Sequence, residues 1–183
     1  MKFKITLKVD RNYGDLLPFN YQYEQSAVIY RILAQADTQY SSWLHENGYL
    51  LHERKRFKLF CYSPFIFEKV RPLPEAGCLK IIDERAVWYI SFIPEKSTLE
   101  FIQGIFAHQS FSIGNKKYQV AFDVVGVEAI PMPQLSEGMT FVALSPICVK
   151  LHEDNKTQYL SPDNPMFAEG VLKGLMARYE SIH

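Results

Sequence analysis

Phe3, Ile5, Leu7 and Val9 alternate with Lys2, Lys4, Thr6, Lys8 and Asp10, the two-residue period of a half-buried strand. After a loop holding Gly14 and Pro18, Ile29, Ile32, Leu33 and Ala36 recur at helical spacing and predict a helix over about 24–36. Asp37 or Thr38 can cap a second, short helix with Tyr40, Trp43 and Leu44 on one face, stopped by Asn47-Gly48. Residues 49–56 read as a basic connection, Phe57 to Phe67 as a strand interrupted at Pro64, and Pro72 and Pro74 as markers of a loop.

Leu79 to Ile82 and Val87 to Ile93 read as a hairpin around Asp83-Glu84-Arg85. A helix over about 95–107 carries Leu99, Ile102 and Phe106. A second hairpin joins Phe111-Ser112-Ile113 to the run Tyr118 to Ile130 through Gly114-Asn115, and Phe141 to Leu151 reads as a further strand containing Pro146. Asp163-Asn164-Pro165 supplies a cap followed by proline in the first turn and opens a last helix, over about 164–181, in which Phe167, Val171, Leu175 and Tyr179 repeat every four residues. With minor elements collapsed, the order is βαββαβ, the ferredoxin-like (RRM-like) α+β plan of an antiparallel sheet with helices on one face, here with an extra hairpin and a C-terminal helix. The expected organisation is a single ferredoxin-like domain over about 1–162 followed by that helix. Such a superfold serves many functions, so function has to come from particular residues.

Composition narrows the choices. With 20 basic and 20 acidic residues the formal net charge is zero, so any nucleic-acid site is a local patch rather than a property of the whole surface. The 13 Phe and 11 Tyr suit a β-rich core and equally suit base stacking. Cys61, Cys78 and Cys148 are far apart and odd in number, which argues against a disulfide framework and a structural zinc site and fits a reducing cytoplasm. No export signal is expected from the alternating opening residues, and the sequence holds no ~18-residue apolar run of the kind a membrane span requires.

The densest basic stretch is His52-Glu53-Arg54-Lys55-Arg56-Phe57-Lys58, which makes His52, Arg54, Lys55 and Arg56 candidates for contact with RNA phosphates. His45 falls three and four places after Ser42 and Ser41, toward the polar side of the short helix, where it can serve chemistry or simply oppose the helix dipole. Tyr30 stands one step off the apolar stripe of its own helix. RAVWYISF, residues 85–92, lacks the glycines of an RNA-recognition strand, so Trp88 and Phe92 read as core. His108 and His152 have no neighbours at metal-ligand spacing and read as surface residues, and no metal or other cofactor is expected.

Six fragments taken in order, MKFKITL, LPFNYQYEQSAVIYRIL, WLHENGY, FKLFCYSP, FVALSPICVK and YLSPDNPMF, resemble the Cas-six family of CRISPR-associated endoribonucleases over nearly the whole chain. The resemblance implies metal-independent cutting of CRISPR repeat RNA by an internal 2′-hydroxyl, leaving a 2′,3′-cyclic phosphate. It also implies a catalytic tyrosine, histidine and lysine, which fall on Tyr30, His45 and Lys58. Histidine as a residue type titrates near neutrality, at about 6.5, and suits proton transfer to the departing 5′-oxygen or from the 2′-hydroxyl. A lysine at the third position would stabilise charge on the phosphorane, and a tyrosine at the first would orient the phosphate or the 2′-hydroxyl.

Family members generally continue into a second ferredoxin-like domain with a glycine-rich loop, and the nine glycines here are scattered. The expectation is therefore that this second domain is absent and RNA affinity reduced. The partners implied are repeat RNA (pre-crRNA), other CRISPR-associated proteins and a second copy of the chain, with no membrane. The alternative function is a non-catalytic RNA-binding or assembly module of a CRISPR system.

Overall fold

In a computed structural model that describes residues 1–51, 55–143, 145–153 and 156–182, the opening alternation becomes strand β1 (Lys2–Asp10), with Phe3, Ile5, Leu7 and Val9 all buried. There follow β2 (Leu16–Pro18), helices α1 (Gln22–Ala36) and α2 (Thr38–Glu46), and short strands β3 (Tyr49–Leu51), β4 (Lys55–Phe57) and β5 (Phe60–Tyr62). Next come β6 (Val70–Leu73), β7 (Cys78–Ile81), β8 (Arg85–Phe92), α3 (Glu95–Ala107), β9 (Ser110–Gly114) and β10 (Gln119–Ile130). The order ends with β11 (Val149–Glu153), β12 (Lys156–Leu160) and α4 (Pro165–Glu180). The fold is mixed α+β, with antiparallel sheets and, among the described residues, four α-helices. No helix among the described residues is long and apolar enough to cross a membrane.

The elements gather into two compact units, Met1–Glu46 with Phe60–Gln134, and Asn47–Leu59 with Leu135–His183. In the first, a five-stranded antiparallel sheet runs β5-β8-β1-β10-β9. The central strand β1 pairs with both β8 and β10, and a register shift between Thr6 and Leu7 bulges β10 locally. Ala86, Trp88, Ile90 and Phe92 of β8 alternate inward with the apolar residues of β1. Phe101 of α3 packs its ring against Trp88 at 6.4 Å and Phe92 at 5.0 Å, so the helix seals the sheet's buried face. Both Trp88 and Phe92 are core, as the sequence predicts.

Helix α3 lies against α1 closely enough that a Cβ at Gly104 would sit 1.8 Å from the carbonyl oxygen of Ile32, so only glycine fits. This approach decides which face of α3 is buried. The expected stripe of Leu99, Ile102 and Phe106 is not the core face: Leu99 and Phe106 are 54% and 61% exposed, while Ser97, Thr98, Phe101, Gly104 and Ile105 are buried. Backbone proximity outweighs the apolar count because a stripe containing glycine admits the neighbouring helix.

Long-range pairing corrects other local readings. β7 and β8 are not a hairpin: β7 lies in a separate sheet ordered β2-β7-β6, while β8 pairs with β1 and β5. The guanidinium of Arg11 donates to the carbonyls of Ile81 and Asp83, occupying the segment that a tight turn would have used. Pro72 lies within β6, whose edge position tolerates the missing N–H, and Pro74 opens a single 3-10 turn closed by Gly77 at φ 65°.

Among the described residues the second unit contains two antiparallel strand pairs and a helix. Residues 49–56 are not a plain connection, because β3 and β4 pair antiparallel. The strand expected over 57–67 is broken at Leu59, whose φ of 54° leaves the extended region, so β5 is confined to Phe60–Tyr62. Phe141 and Val142 are exposed and β11 begins only at Val149, pairing with β12, a strand that alternation alone did not flag. Asn164 caps α4 by accepting the Met166 N–H at 2.9 Å, with Pro165 in the first turn as expected. A Cβ at Gly170 would lie 2.5 Å from Val149 Cγ1, so α4 sits tight against β11. Leu175 and Tyr179 of the predicted stripe are exposed, whereas Ala177 is buried.

Candidate active site

The site begins at the junction of α1 and α2. Asp37 ends one helix and starts the next: its N–H donates to the Leu33 carbonyl at 2.9 Å and its carboxylate accepts the Tyr40 N–H at 2.8 Å. That backbone hydrogen bond, with a smaller contribution from Lys96 at 3.2 Å, holds the Asp37 carboxyl below its ordinary pKa. Tyr40 is buried and its hydroxyl meets Ser97 of α3, while the Lys96 ammonium lies 4.8 Å from its ring centroid. Trp43, expected on the buried face, instead stacks on Tyr40 and is partly exposed; Ser41 takes the buried place.

Ser41 carries out the positioning. Its hydroxyl donates to the carbonyl oxygen of Tyr30 at 2.8 Å, tying α2 to α1 at the residue of interest. One turn further along α2 stands His45, exposed, with its ring edge-on to Tyr30: the centroids are 5.0 Å apart and the planes meet at 84°. Tyr30 is also edge-on to Phe60 at 5.8 Å, which itself packs on Phe92 of the core. Partial burial, with a smaller contribution from Tyr62, raises the Tyr30 pKa, so its hydroxyl is a neutral donor at pH 7.

Lys58 belongs to the second unit, between the end of β4 and Leu59. Its half-buried side chain runs over Gly48, where a Cβ would lie 2.6 Å from the Phe57 carbonyl oxygen and 3.4 Å from Lys58 Nζ. Gly48, at φ 69°, adopts the left-handed conformation expected of a helix stop. Partial burial and then the neighbouring Arg56 charge lower the Lys58 pKa. Lys55 and Arg56 are exposed on β4. His52 and Arg54 lie outside the described residues.

The same unit holds an open groove of about 710 Å³, and Lys55, Lys150, Lys173 and Arg178 contribute to its lining. Lys173 pairs with Glu169 at 2.6 Å, and Arg178 lies over the Phe57 ring at 5.3 Å while donating to the Gly174 carbonyl. Except for Lys55, these cations are distant in sequence from the basic run and carry no local motif. Ser41 and Phe60 were also missed, since a serine contacting a carbonyl eleven residues back leaves no periodic signal. Among the described residues no group of three or more His, Cys, Asp or Glu side chains could hold a metal ion, and Cys61, Cys78 and Cys148 are free thiols.

The chain is similar to known proteins over nearly its whole length. The family model for CRISPR-associated protein Cas6, N-terminal, matches residues 16–122, and that for CRISPR associated protein Cas6, C-terminal, matches residues 130–183. The chain is 27% identical over 184 residues to CRISPR-associated endoribonuclease Cas6 1 of Methanocaldococcus jannaschii, covering 98% of this chain and 66% of that protein. It is 24% identical over 180 residues to CRISPR-associated endoribonuclease Cas6 of Pyrococcus furiosus, covering 98% of this chain and 64% of that protein. The chain thus spans just under two thirds of the length of these curated relatives. A solved structure of a Cas6-related protein from Pyrococcus furiosus superposes with a TM-score of 0.78 at 25% identity, over 100% of this chain and 70% of that one. A RAMP protein described as binding different RNA substrates has the same fold, with a TM-score of 0.77 at 24% identity over 100% and 71% of the two chains. With one family model spanning most of the first unit and the second covering the chain from residue 130 to its end, the chain belongs to the Cas6 family of CRISPR-associated proteins.

Proposed function

We propose that this chain is a metal-independent endoribonuclease that cuts CRISPR repeat RNA. The observation that carries the reading is the His45 imidazole set against the Tyr30 ring at 5.0 Å, on two helices tied together by Ser41. The order β1-α1-β5-β8-α3-β10, with sheet order β5-β8-β1-β10, is read as the ferredoxin-like βαββαβ plan, with β9 added at one edge. Residues 130–183 are read as part of the family's carboxyl-terminal portion.

In the proposed reaction the 2′-hydroxyl gives its proton to solvent water as its oxygen attacks the adjacent phosphorus, and the bond from phosphorus to the 5′-oxygen breaks, giving a 2′,3′-cyclic phosphate and a 5′-hydroxyl. The nucleophile is already part of the substrate, so the protein has mainly to move protons and stabilise charge. His45, exposed and therefore reachable, donates a proton to the departing 5′-oxygen. Tyr30, kept neutral by its raised pKa, donates a hydrogen bond to the phosphate or the 2′-hydroxyl. Lys58 offsets the extra negative charge of the phosphorane. Lys55 and Arg56, with His52 and Arg54 of the same run, bind flanking phosphates.

The test is incubation of the protein, and of His45→Ala, with repeat RNA in excess EDTA, followed by analysis of product ends. Cutting by the unmodified protein alone, with cyclic-phosphate ends, is expected. Equal cutting by both proteins, or cutting that requires added metal, overturns the mechanism. Binding retained by both with cleavage by neither supports a non-catalytic RNA-binding module instead.

A further inference from the structure

On residues other than Tyr30 and His45, the first unit carries two hollows that share Gln119 at the start of β10, one of about 170 Å³ and one of about 290 Å³. Lys116, Lys117 and Tyr118 with Tyr13 line the larger, and Tyr23 and Arg31 of α1 line the smaller. Three cations are thus interleaved with three tyrosines along one path, on a protein whose overall charge is zero.

The path is built rather than incidental. Asn115 Oδ1 accepts the N–H groups of Lys117 and Tyr118 at 2.8 and 2.9 Å, which fixes the turn. A Cβ at Gly114, at φ 133°, would lie 2.1 Å from the Tyr118 carbonyl oxygen, so the turn depends on glycine. Gly14 makes the same allowance for the neighbouring loop, where a Cβ would lie 2.5 Å from the Gln119 carbonyl oxygen. The Tyr13 hydroxyl then donates to Gln119 Oε1 at 3.0 Å, pinning its ring beside the turn. The Lys117 ammonium lies 4.8 Å from the Tyr118 ring centroid. Arg31 donates to the Ser112 carbonyl at 2.9 Å, which holds its guanidinium at the rim of the smaller hollow.

One group in the smaller hollow asks for a donor. Glu24 lines it, and its Oε2 is buried without a hydrogen-bond partner, an arrangement that carries a desolvation cost until a donor arrives. Asp15, the acid of the larger hollow, is already matched by Lys80 at 3.5 Å.

We propose that this path binds a single-stranded RNA segment outside the cleaved linkage. Lys116, Lys117 and Arg31 contact phosphates, the tyrosines stack on bases, and Glu24 accepts the exocyclic amino group of one base. Uracil, which has no such amino group, is disfavoured at that position. The inference rests on the reading of the chain as an RNA-handling protein and adds to it a second contact surface with a base preference.

The test measures binding of labelled hexacytidylate and hexauridylate by fluorescence anisotropy across a salt series. The full chain is compared with Lys116→Ala/Lys117→Ala and with Glu24→Ala, all three matched for thermal melting. The full chain should prefer hexacytidylate by about tenfold, and Glu24→Ala should bring the ratio close to one. The double lysine variant should weaken both hexamers about tenfold and reduce the magnitude of the log–log salt slope by about 1.4. Hexamer binding unchanged in the double variant, while the full chain still cuts or binds repeat RNA, overturns this inference and leaves the endoribonuclease reading intact. A full chain that binds no RNA at all overturns both.

Discussion

Tyr30 and His45 stand on two helices whose junction is specified several times over: Asp37 caps, Ser41 ties, and Tyr40 reaches across to Ser97. Lys58 stands on a short stretch between Gly48 and Leu59, residues at φ 69° and 54°, where the backbone itself takes uncommon conformations. The contrast separates two ways of placing a candidate side chain. At the α1–α2 junction side-chain hydrogen bonds and helix packing fix the helices, whereas beside Lys58 the left-handed backbone of Gly48 and Leu59 fixes the path of the main chain.

On the proposed mechanism the largest effect should come from His45→Ala, which would lose proton transfer and is expected to slow cleavage about 10²–10⁴-fold in single-turnover assays, with thermal melting unchanged. Lys58→Ala should follow, at about 10²–10³-fold, because in the proposed mechanism it would remove charge stabilisation at the phosphorane. Equal rates for Lys58→Ala and the unmodified chain would remove the lysine from the proposed mechanism and leave Tyr30 and His45.

Two glycine substitutions then probe the two modes of support. Gly104→Ala forces a Cβ onto the Ile32 carbonyl and should lower unfolding stability by about 1–3 kcal/mol in urea titrations. Gly48→Ala disturbs the left-handed stop and the Lys58 side chain, and should reduce cleavage more than its stability loss explains. Smaller still, Ser41→Ala removes one side-chain bond to the Tyr30 carbonyl and should cost about 1 kcal/mol, with a modest fall in rate.

The pH dependence sharpens the same contrast. Partial burial and Arg56 lower the Lys58 pKa, so its ammonium is lost at a lower pH than an ordinary lysine's. Cleavage that needs the cation is therefore full below that pKa and falls as pH rises through it. Stability runs the other way: between the folded and unfolded pKa values the unfolded chain binds more protons, so this group's contribution rises with pH. Lys58→Arg, which does not titrate in this range, should move the alkaline limb of the pH–rate profile upward. An unmoved limb would assign it to another group.

Much of this was legible along the chain because it depends on near neighbours. The period of β1, the extents of α1 and α3, the β9–β10 hairpin, and the caps at Asp37 and Asn164 follow from alternation, helical spacing and short-range hydrogen bonding. His45 on the open side of α2 followed from the same spacing.

What needed tertiary structure were choices among surfaces that local chemistry leaves equivalent. Leu99 and Phe106 have as strong a claim to burial as Phe101 and Ile105, until Gly104 lets α1 approach. The turn signal after β7 suits a hairpin, until Leu16–Pro18 and Val70–Leu73 offer that strand other partners. Ser41 is an ordinary helical serine until its hydroxyl meets the carbonyl of Tyr30. The sequence by itself determined the periods, the caps and the residue types available for chemistry, since those act within a few residues. Strand partners, the buried face of α3 and the meeting of Tyr30 with His45 were decided only in three dimensions, because they depend on backbone approaches between segments far apart in the chain.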